Sequence, residues 1–328
     1  MGMSLTDRIF SITGEEEFSA LAMEIFQYQA RENPVYGRYI KLLGKSPVDI
    51  QSLEEIPFLP VEIFRDHKVH TGVKEPELVF ESSGTTSDQA SKHYVCDPEL
   101  YLESFTRGFE LFYGKPGNYC ILALLPSYLE RKRSSIVFMA DELIRLSGHP
   151  GSGFYLDNLE GLVNQIKELE NSGQPAILLG VSFALVELAE KHSLKLHHTI
   201  VMETGGMKGR RKEITRVELH GLLKQGFGIQ SVHSEYGMTE LLSQAWSKGD
   251  GIFYCPNWMK IILRDPYDPL SSMQRESSGG INIIDLANIY SCSFIATQDV
   301  GKFSQDGGFE VLGRFDQSDM RGCNLMLE

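Results

Sequence analysis

Three short segments carry side chains suited to a phosphorylated ligand. The first, Ser82-Ser83-Gly84-Thr85-Thr86-Ser87, follows an apolar stretch and precedes Lys92. Hydroxyls with a glycine allow a tight turn whose N–H and O–H groups converge on an anion. Lys92 adds a point charge for the outer phosphates. The same six residues also suit a plain polar loop, and neither a Walker A pattern nor G-x-G-x-x-G is present. The second, Glu235-Tyr236-Gly237-Met238-Thr239-Glu240, offers an aromatic ring to stack on a base, a hydroxyl for a phosphate and a carboxylate for Mg²⁺. Alone it also reads as a helix start with acidic residues on the dipole. The third is Thr297-Gln298-Asp299-Val300-Gly301, followed by Gly313-Arg314-Phe315-Asp316. A carboxylate on a loop can bind both ribose hydroxyls, and an arginine fifteen residues later can reach the same nucleotide. Taken singly, each residue is equally at home on a surface. Of His93, His149 and His233, which lie near these loops, His93 is the one favoured for a role at the site.

The elements that must position these segments follow from periodicity. Phe18, Leu21, Ala22, Ile25, Phe26 and Gln29 recur at helical spacing behind a Thr13/Glu16 capping-box signature. A short helix is predicted over Tyr36–Leu43, and Asp97-Pro98 opens another that runs to Tyr113. Strands at Leu78–Glu81, Cys120–Leu125, Ala176–Leu179, His198–Met202 and Ile229–His233 then alternate with helices at Ser134–Leu146, Leu159–Glu170, Phe183–Lys191 and Glu213–Leu223. That rhythm predicts a mostly parallel sheet covered on both faces. From Met259 the pattern becomes short strands, Met259–Leu263, Ile281–Asp285, Ser293–Ala296, Gly301–Phe303 and Gly308–Leu312, with an Asp306-Gly307 hairpin signal. The second segment thus lies just past a strand, where open α/β sheets bind ligands.

The 328 residues suit one large α/β body or two domains. A net charge of −13 disfavours nucleic acid and anionic lipid as partners. The densest basic cluster, Lys208–Lys212 with Arg216, could receive a CoA or carrier phosphate or an acidic partner, or be a solvated helix start. No run approaches a membrane span, and the start has no signal-peptide core, so a cytoplasmic protein is expected. Five scattered cysteines, Cys96, Cys120, Cys255, Cys292 and Cys323, form no metal or disulfide pattern, and the odd count leaves room for one active thiol.

In order, Ser-Ser-Gly-Thr-Thr, Tyr-Gly-Met-Thr-Glu, Thr-Gln-Asp-Val-Gly and Gly-Arg-Phe-Asp resemble the adenylate-forming superfamily, from about Val79 to Cys323. The ending Gly-Arg-Phe-Asp-Gln-Ser-Asp-Met-Arg-Gly-Cys looks most like acyl-protein synthetases, the fatty-acid ligase component of bacterial bioluminescence systems. The resemblance implies an α/β fold like the large N-terminal domain of those enzymes: mostly parallel sheet layers covered by helices over residues 1–250, and an antiparallel β section over 251–328 ending in a hinge-like tail. The usual small C-terminal lid domain is expected to be absent. It implies that Ser82, Ser83, Gly84, Thr85, Thr86 and Lys92 cradle ATP phosphates, and that Gly205 and Gly206 approach the adenine edge. Tyr236 with Gly237 would stack on adenine, Thr239 would touch the α-phosphate and Glu240 would hold Mg²⁺. Asp299 and Arg314 would serve ribose or phosphate, and Cys323 would take the acyl group from the adenylate. Val181-Ser182-Phe183 and Pro126-Ser127-Tyr128 would line the acyl pocket. Ser87 and Ser91-Lys92-His93 depart from the family's usual glycine and Pro-Lys-Gly.

The expected activity is ATP-dependent conversion of a carboxylic, fatty acid to acyl-AMP and transfer to a thiol, with ATP and Mg²⁺ as cofactors. The acceptor is Cys323 in one reading and CoA or a carrier-protein pantetheine in another; an acyl reductase or acyl carrier is the expected partner. A non-catalytic adenylate- or acyl-binding subunit is the rival reading.

Overall fold

The structure, a computed structural model, describes residues 5–82, 90–125, 133–156, 158–205, 214–268, 270–271 and 277–315. Along the chain the helices are α1 (Leu5–Ile9), α2 (Glu15–Glu32), α3 (Pro34–Leu42), α4 (Ile63–Asp66), α5 (Pro98–Tyr113), α6 (Ser135–Ser147), α7 (Leu159–Ser172), α8 (Ser182–Lys191) and α9 (Arg216–Phe227). The strands are β1 (Leu59–Pro60), β2 (Leu78–Glu81), β3 (Lys92–Val95), β4 (Cys120–Leu124), β5 (Gly153–Phe154), β6 (Ala176–Val181), β7 (Thr199–Thr204), β8 (His233–Tyr236), β9 (Ala245–Ser247), β10 (Ile252–Phe253), β11 (Met259–Arg264), β12 (Gly279–Asp285), β13 (Phe294–Phe303) and β14 (Phe309–Arg314). Among the described residues no helix is long and apolar enough to cross a membrane.

Two compact units divide the chain. One takes in the described residues of Phe64–Lys68 and Lys74–Pro256. Its main sheet has the order β5-β4-β6-β7-β8-β9, parallel except for β9. Every residue of β4 and β6 is buried, as continuous apolar strands covered on both faces require. Beside it, β2 and β3 form an antiparallel pair in which Glu81 faces Lys92. The β3 strand had no apolar signal in the sequence: Lys92 is its first residue and is exposed.

The other unit takes in the described residues of Met1–Ile63, Val69–Val73 and Asn257–Glu328. Its strands run β14-β13-β12-β11, all antiparallel, with β1 parallel to β13. The division therefore differs from a 1–250/251–328 split: the N-terminal helices belong with the antiparallel strands. The reason is visible at Gln29, a buried amide on the apolar face of α2. Its Nε2 donates to the carbonyls of Asn288 (3.1 Å) and Ile289 (2.9 Å), and its Oε1 accepts from Ser293 N–H (2.9 Å).

Local signals place most boundaries within two residues. The six residues picked for the inner face of α2 are the six that are buried. Its cap differs: Gly14 is the N-cap, so the third helical position is Glu17, and Thr13 donates both N–H and Oγ1–H to Glu17 Oε2 (2.8 and 2.9 Å). The backbone bond and then the hydroxyl bond from Thr13 hold the Glu17 carboxyl below its usual range. Helix α9 starts at Arg216 behind a Thr215/Glu218 capping box, later than Glu213. Strand β8 is His233–Tyr236, not Ile229–His233, and β13 runs unbroken through Thr297–Gly301, where a loop between two strands was expected.

Candidate functional site

Several of the sequence-derived residues lie in the unit that holds the parallel sheet. Ser82 extends the β2–β3 ladder: its N–H donates to Ser91 O (3.1 Å), and its Oγ accepts from Ser91 N–H (3.0 Å). Its hydroxyl oxygen is thus engaged at the base of the candidate phosphate segment. Ser83, Gly84, Thr85 and Thr86 lie outside the described residues, as do Gly206 and Cys323. Glu81, the last residue of β2, pairs with Arg133 at 2.7 Å and stands opposite Lys92 in the ladder.

The Tyr-Gly-Met-Thr-Glu segment begins inside β8 and turns at its carboxyl end. Leu241 N–H donates to Met238 O (3.2 Å), which makes Thr239 and Glu240 the central residues of a turn. Glu240 is only 5 % exposed. His93, fully buried on β3, bonds Thr239 O through Nδ1 (2.8 Å). A carbonyl only accepts, so Nδ1 carries the proton, and Phe64 meets the ring edge-on at 6.0 Å. This one bond ties the β2–β3 pair to the Thr239–Glu240 turn. Tyr236 is buried, with its ring 5.8 Å from Phe253 at 56°. At Gly237 a Cβ would run into the Glu235 carboxylate and stand 3.3 Å from Gln244 Cγ. Gln244 itself is 5 % exposed, and its Oε1 has no hydrogen-bond partner among the described residues. Such an acceptor costs about 1–3 kcal/mol until something donates to it.

Next to β8, β7 ends in a buried polar cluster that the apolar pattern could not reveal. Thr204 Oγ1 donates to Glu235 Oε2 at 2.5 Å. Glu203, 5 % exposed, faces Arg216 Nε (3.7 Å) and His220 Nε2 (3.8 Å). Gly205 follows with φ +64°, and Ser182 Oγ donates to its carbonyl at 2.5 Å, with Glu203 Oε2 at 3.2 Å. Ser182, expected to line an acyl pocket, is 1 % exposed and holds the Gly205 turn.

Also on β8, His233 Nδ1 lies 3.2 Å from Tyr113 Oη. Burial first, and Lys248 second, push its pKa down to about 4 from 6.5. The unfolded chain then binds the extra proton between those values, so His233 supports the fold above pH 6.5 and loses that support as pH falls toward 4. Denaturant midpoints should drop between pH 7 and pH 5, and less so in His233→Gln; an identical drop in the variant removes His233 as the cause.

In the unit that holds the antiparallel sheet, Asp299 and Arg314 are direct partners across β13 and β14. Arg314 Nε donates to Asp299 Oδ1 at 3.1 Å; the arginine side chain is 70 % exposed and the carboxylate 8 %. The pairing joins two residues separated by a hairpin, whose tip at Gly307 has φ +90°. Asp299 stands on β13, not in a loop, at a shift in the register between β13 and β12.

Among the described residues no group of three or more His, Cys, Asp or Glu side chains is placed to hold a metal. A buried carboxylate such as that of Glu240, 5 % exposed, nevertheless suits Mg²⁺, which keeps waters and is bound through one or two carboxylates plus substrate phosphates.

No protein-family profile matches the sequence, and no curated protein sequence does. Solved structures do match. A 2-hydroxyisobutyryl-CoA ligase, in an open conformation with 2-HIB-AMP and CoA, gives a TM-score of 0.68 at 14 % identity, covering 93 % of this chain and 72 % of the ligase. The fold is that of adenylate-forming enzymes. ATP-bound MatB from Rhodopseudomonas palustris gives 0.56 at 16 % identity, over 74 % of this chain and 49 % of MatB. The amide bond synthetase McbA from Marinactinospora thermotolerans gives 0.52 at 16 %, over 74 % and 50 %. The chain thus spans about half the length of those two.

Proposed function

We propose that the protein activates a carboxylic acid with ATP and passes the acyl group to a thiol. The observation that carries this reading is the likeness over 93 % of the chain to a ligase whose structure holds an acyl-adenylate. In support, the turn that bears Thr239 and Glu240 lies at the carboxyl end of a parallel strand.

In the reaction a carboxylate oxygen attacks the α-phosphorus of ATP, and the bond to pyrophosphate breaks. The protein's task is positioning and charge neutralisation. Ser82 to Thr86 and Lys92 hold the outer phosphates, and Thr239 offers its hydroxyl to the α-phosphate. Tyr236 and Gly237, with Gly205 and Gly206, seat the base; Asp299 holds the ribose hydroxyls and Arg314 steadies Asp299. Glu240 would hold Mg²⁺, which when bound supplies positive charge against the phosphates. In the second half-reaction a thiol attacks the acyl carbon and AMP leaves. We assign Cys323 as that thiol and a fatty acid as the substrate, with an acyl reductase as the receiving partner; the CoA in the ligase structure favours CoA as the second candidate acceptor.

ATP–pyrophosphate exchange across a panel of carboxylic acids tests the first half. Exchange with at least one acid is expected, and none with any acid overturns the reading. Labelled acid plus ATP then tests the acceptor: a stable protein thioester, absent in Cys323→Ser, is expected. Acyl-CoA formation without protein label would replace Cys323 by CoA.

A further inference from the structure

Asp299 stands where the antiparallel sheet is most irregular. β12 and β13 pair Asn282 with Ala296 and Gly280 with Val300. Ile281 alone therefore faces the three residues Thr297, Gln298 and Asp299. Such a bulge removes ladder hydrogen bonds and re-aims side chains, and it needs other partners for the groups it frees.

Those partners converge on two side chains. Thr297 Oγ1 donates to Ile281 O (2.9 Å) and accepts from Asp299 N–H (3.0 Å). Arg264, the last residue of β11, reaches across β12 to do the rest. Its Nη1 donates to Ile281 O (2.8 Å) and Asn282 Oδ1 (2.9 Å), and its Nη2 donates to Thr297 O. The path passes over Gly280, where a Cβ would stand 2.6 Å from the guanidinium carbon. The guanidinium also lies 5.5 Å from the Phe315 ring, and Phe315 N–H donates to Gln298 O at 2.9 Å. Arg264 therefore touches both chain segments that present the Asp299–Arg314 pair. It is 8 % exposed, and burying a guanidinium is costly unless its fork is well used. A planar fork meets three oxygens at once, which a lysine ammonium on one stem does not reproduce.

We propose that Arg264 is a positioning residue: it fixes the Thr297–Asp299 bulge and so the aim of the Asp299 carboxylate at the nucleotide sugar. The inference rests on the ATP reading above. Two measurements on the full chain separate the two. Amide hydrogen exchange of the free protein reads the bulge directly. In Arg264→Met and Arg264→Lys, the Asp299 and Phe315 amides should exchange at least tenfold faster, while amides paired between Met259 and Asp285 stay unchanged. Unchanged exchange at Asp299 overturns the proposal whatever the enzyme does. Steady-state kinetics then read the consequence: in Arg264→Lys the KM for ATP should rise about tenfold with the KM for the acid unchanged. An equal rise in both, or in neither, also overturns it. Should Arg264→Met not fold, Thr297→Val, which keeps the side-chain shape and removes the hydroxyl, is expected to speed Asp299 exchange and raise the ATP KM alone. A wild type that supports no pyrophosphate exchange defeats the ATP reading and with it the nucleotide role, and hydrogen exchange alone then decides whether Arg264 holds the bulge.

Discussion

Glu240→Gln should lower ATP–pyrophosphate exchange by a factor on the order of 10³ and leave the fold intact. Glutamine has almost the same volume, and the turn bond from Leu241 N–H to Met238 O is made by backbone alone, so that bond does not depend on the charge. What the substitution removes is one negative charge at a position 5 % exposed, where water screens little. If that charge secures the cation on the phosphates, its loss withdraws stabilisation from the step in which charge moves onto pyrophosphate. Removing a single preorganised electrostatic partner typically costs about 10²–10³ in kcat. The upper end, roughly 4 kcal/mol, applies because both the cation and its placement are affected. Exchange assayed at saturating ATP and Mg²⁺, beside circular dichroism, gives the answer. A loss smaller than about tenfold with native secondary structure would remove Glu240 from the reaction.

How much of this was readable from the sequence depends on what holds each element. Helix α2 was legible because six side chains at helical spacing are buried for their apolar area or their amide. β4 was legible because every residue of it is apolar. β8 was not, because His-Ser-Glu-Tyr is polar; its buried Glu235 accepts a hydrogen bond from Thr204, 31 residues earlier. β3 was hidden for the same reason, since its Lys-His-Tyr-Val alternates without an apolar majority. The unbroken course of β13 through a Thr-Gln-Asp run depends on Arg264, a residue no local window connects to it. At the candidate site, the order of the three motifs was visible, and so was the fifteen-residue spacing that the structure turns into the Asp299–Arg314 pair. The contact between His93 and Thr239, 146 residues apart, could only be a weak guess from proximity to a loop. The candidate site side chains were thus easier to pick out than the buried polar groups beside them, because the latter are defined by distant partners.

Phe294→Ala should destabilise the unit that holds the antiparallel sheet by about 3–5 kcal/mol, the usual range for deleting a buried ring. Phe294 is fully buried. Its ring stacks on Tyr36 (6.2 Å, 14°) and meets Phe26 (5.9 Å) and Phe58 (6.2 Å) edge-on. These contacts join helices α2 and α3 and the connection before β1 to the first residue of β13. Edge-to-face and offset pairs each add about 0.5–1.5 kcal/mol beyond area burial, and three partners on separate elements cannot all move in to fill the space. Phe294→Leu keeps most of the volume and should cost less than half as much. Guanidinium melts of the three proteins make the comparison, and a Phe294→Ala loss below about 1 kcal/mol would show that the cluster collapses onto the gap. The same substitution should also raise the ATP KM at temperatures where the variant is still folded, because Asp299 lies five residues along the strand that Phe294 anchors. That links the packing of the N-terminal helices to the candidate nucleotide contact.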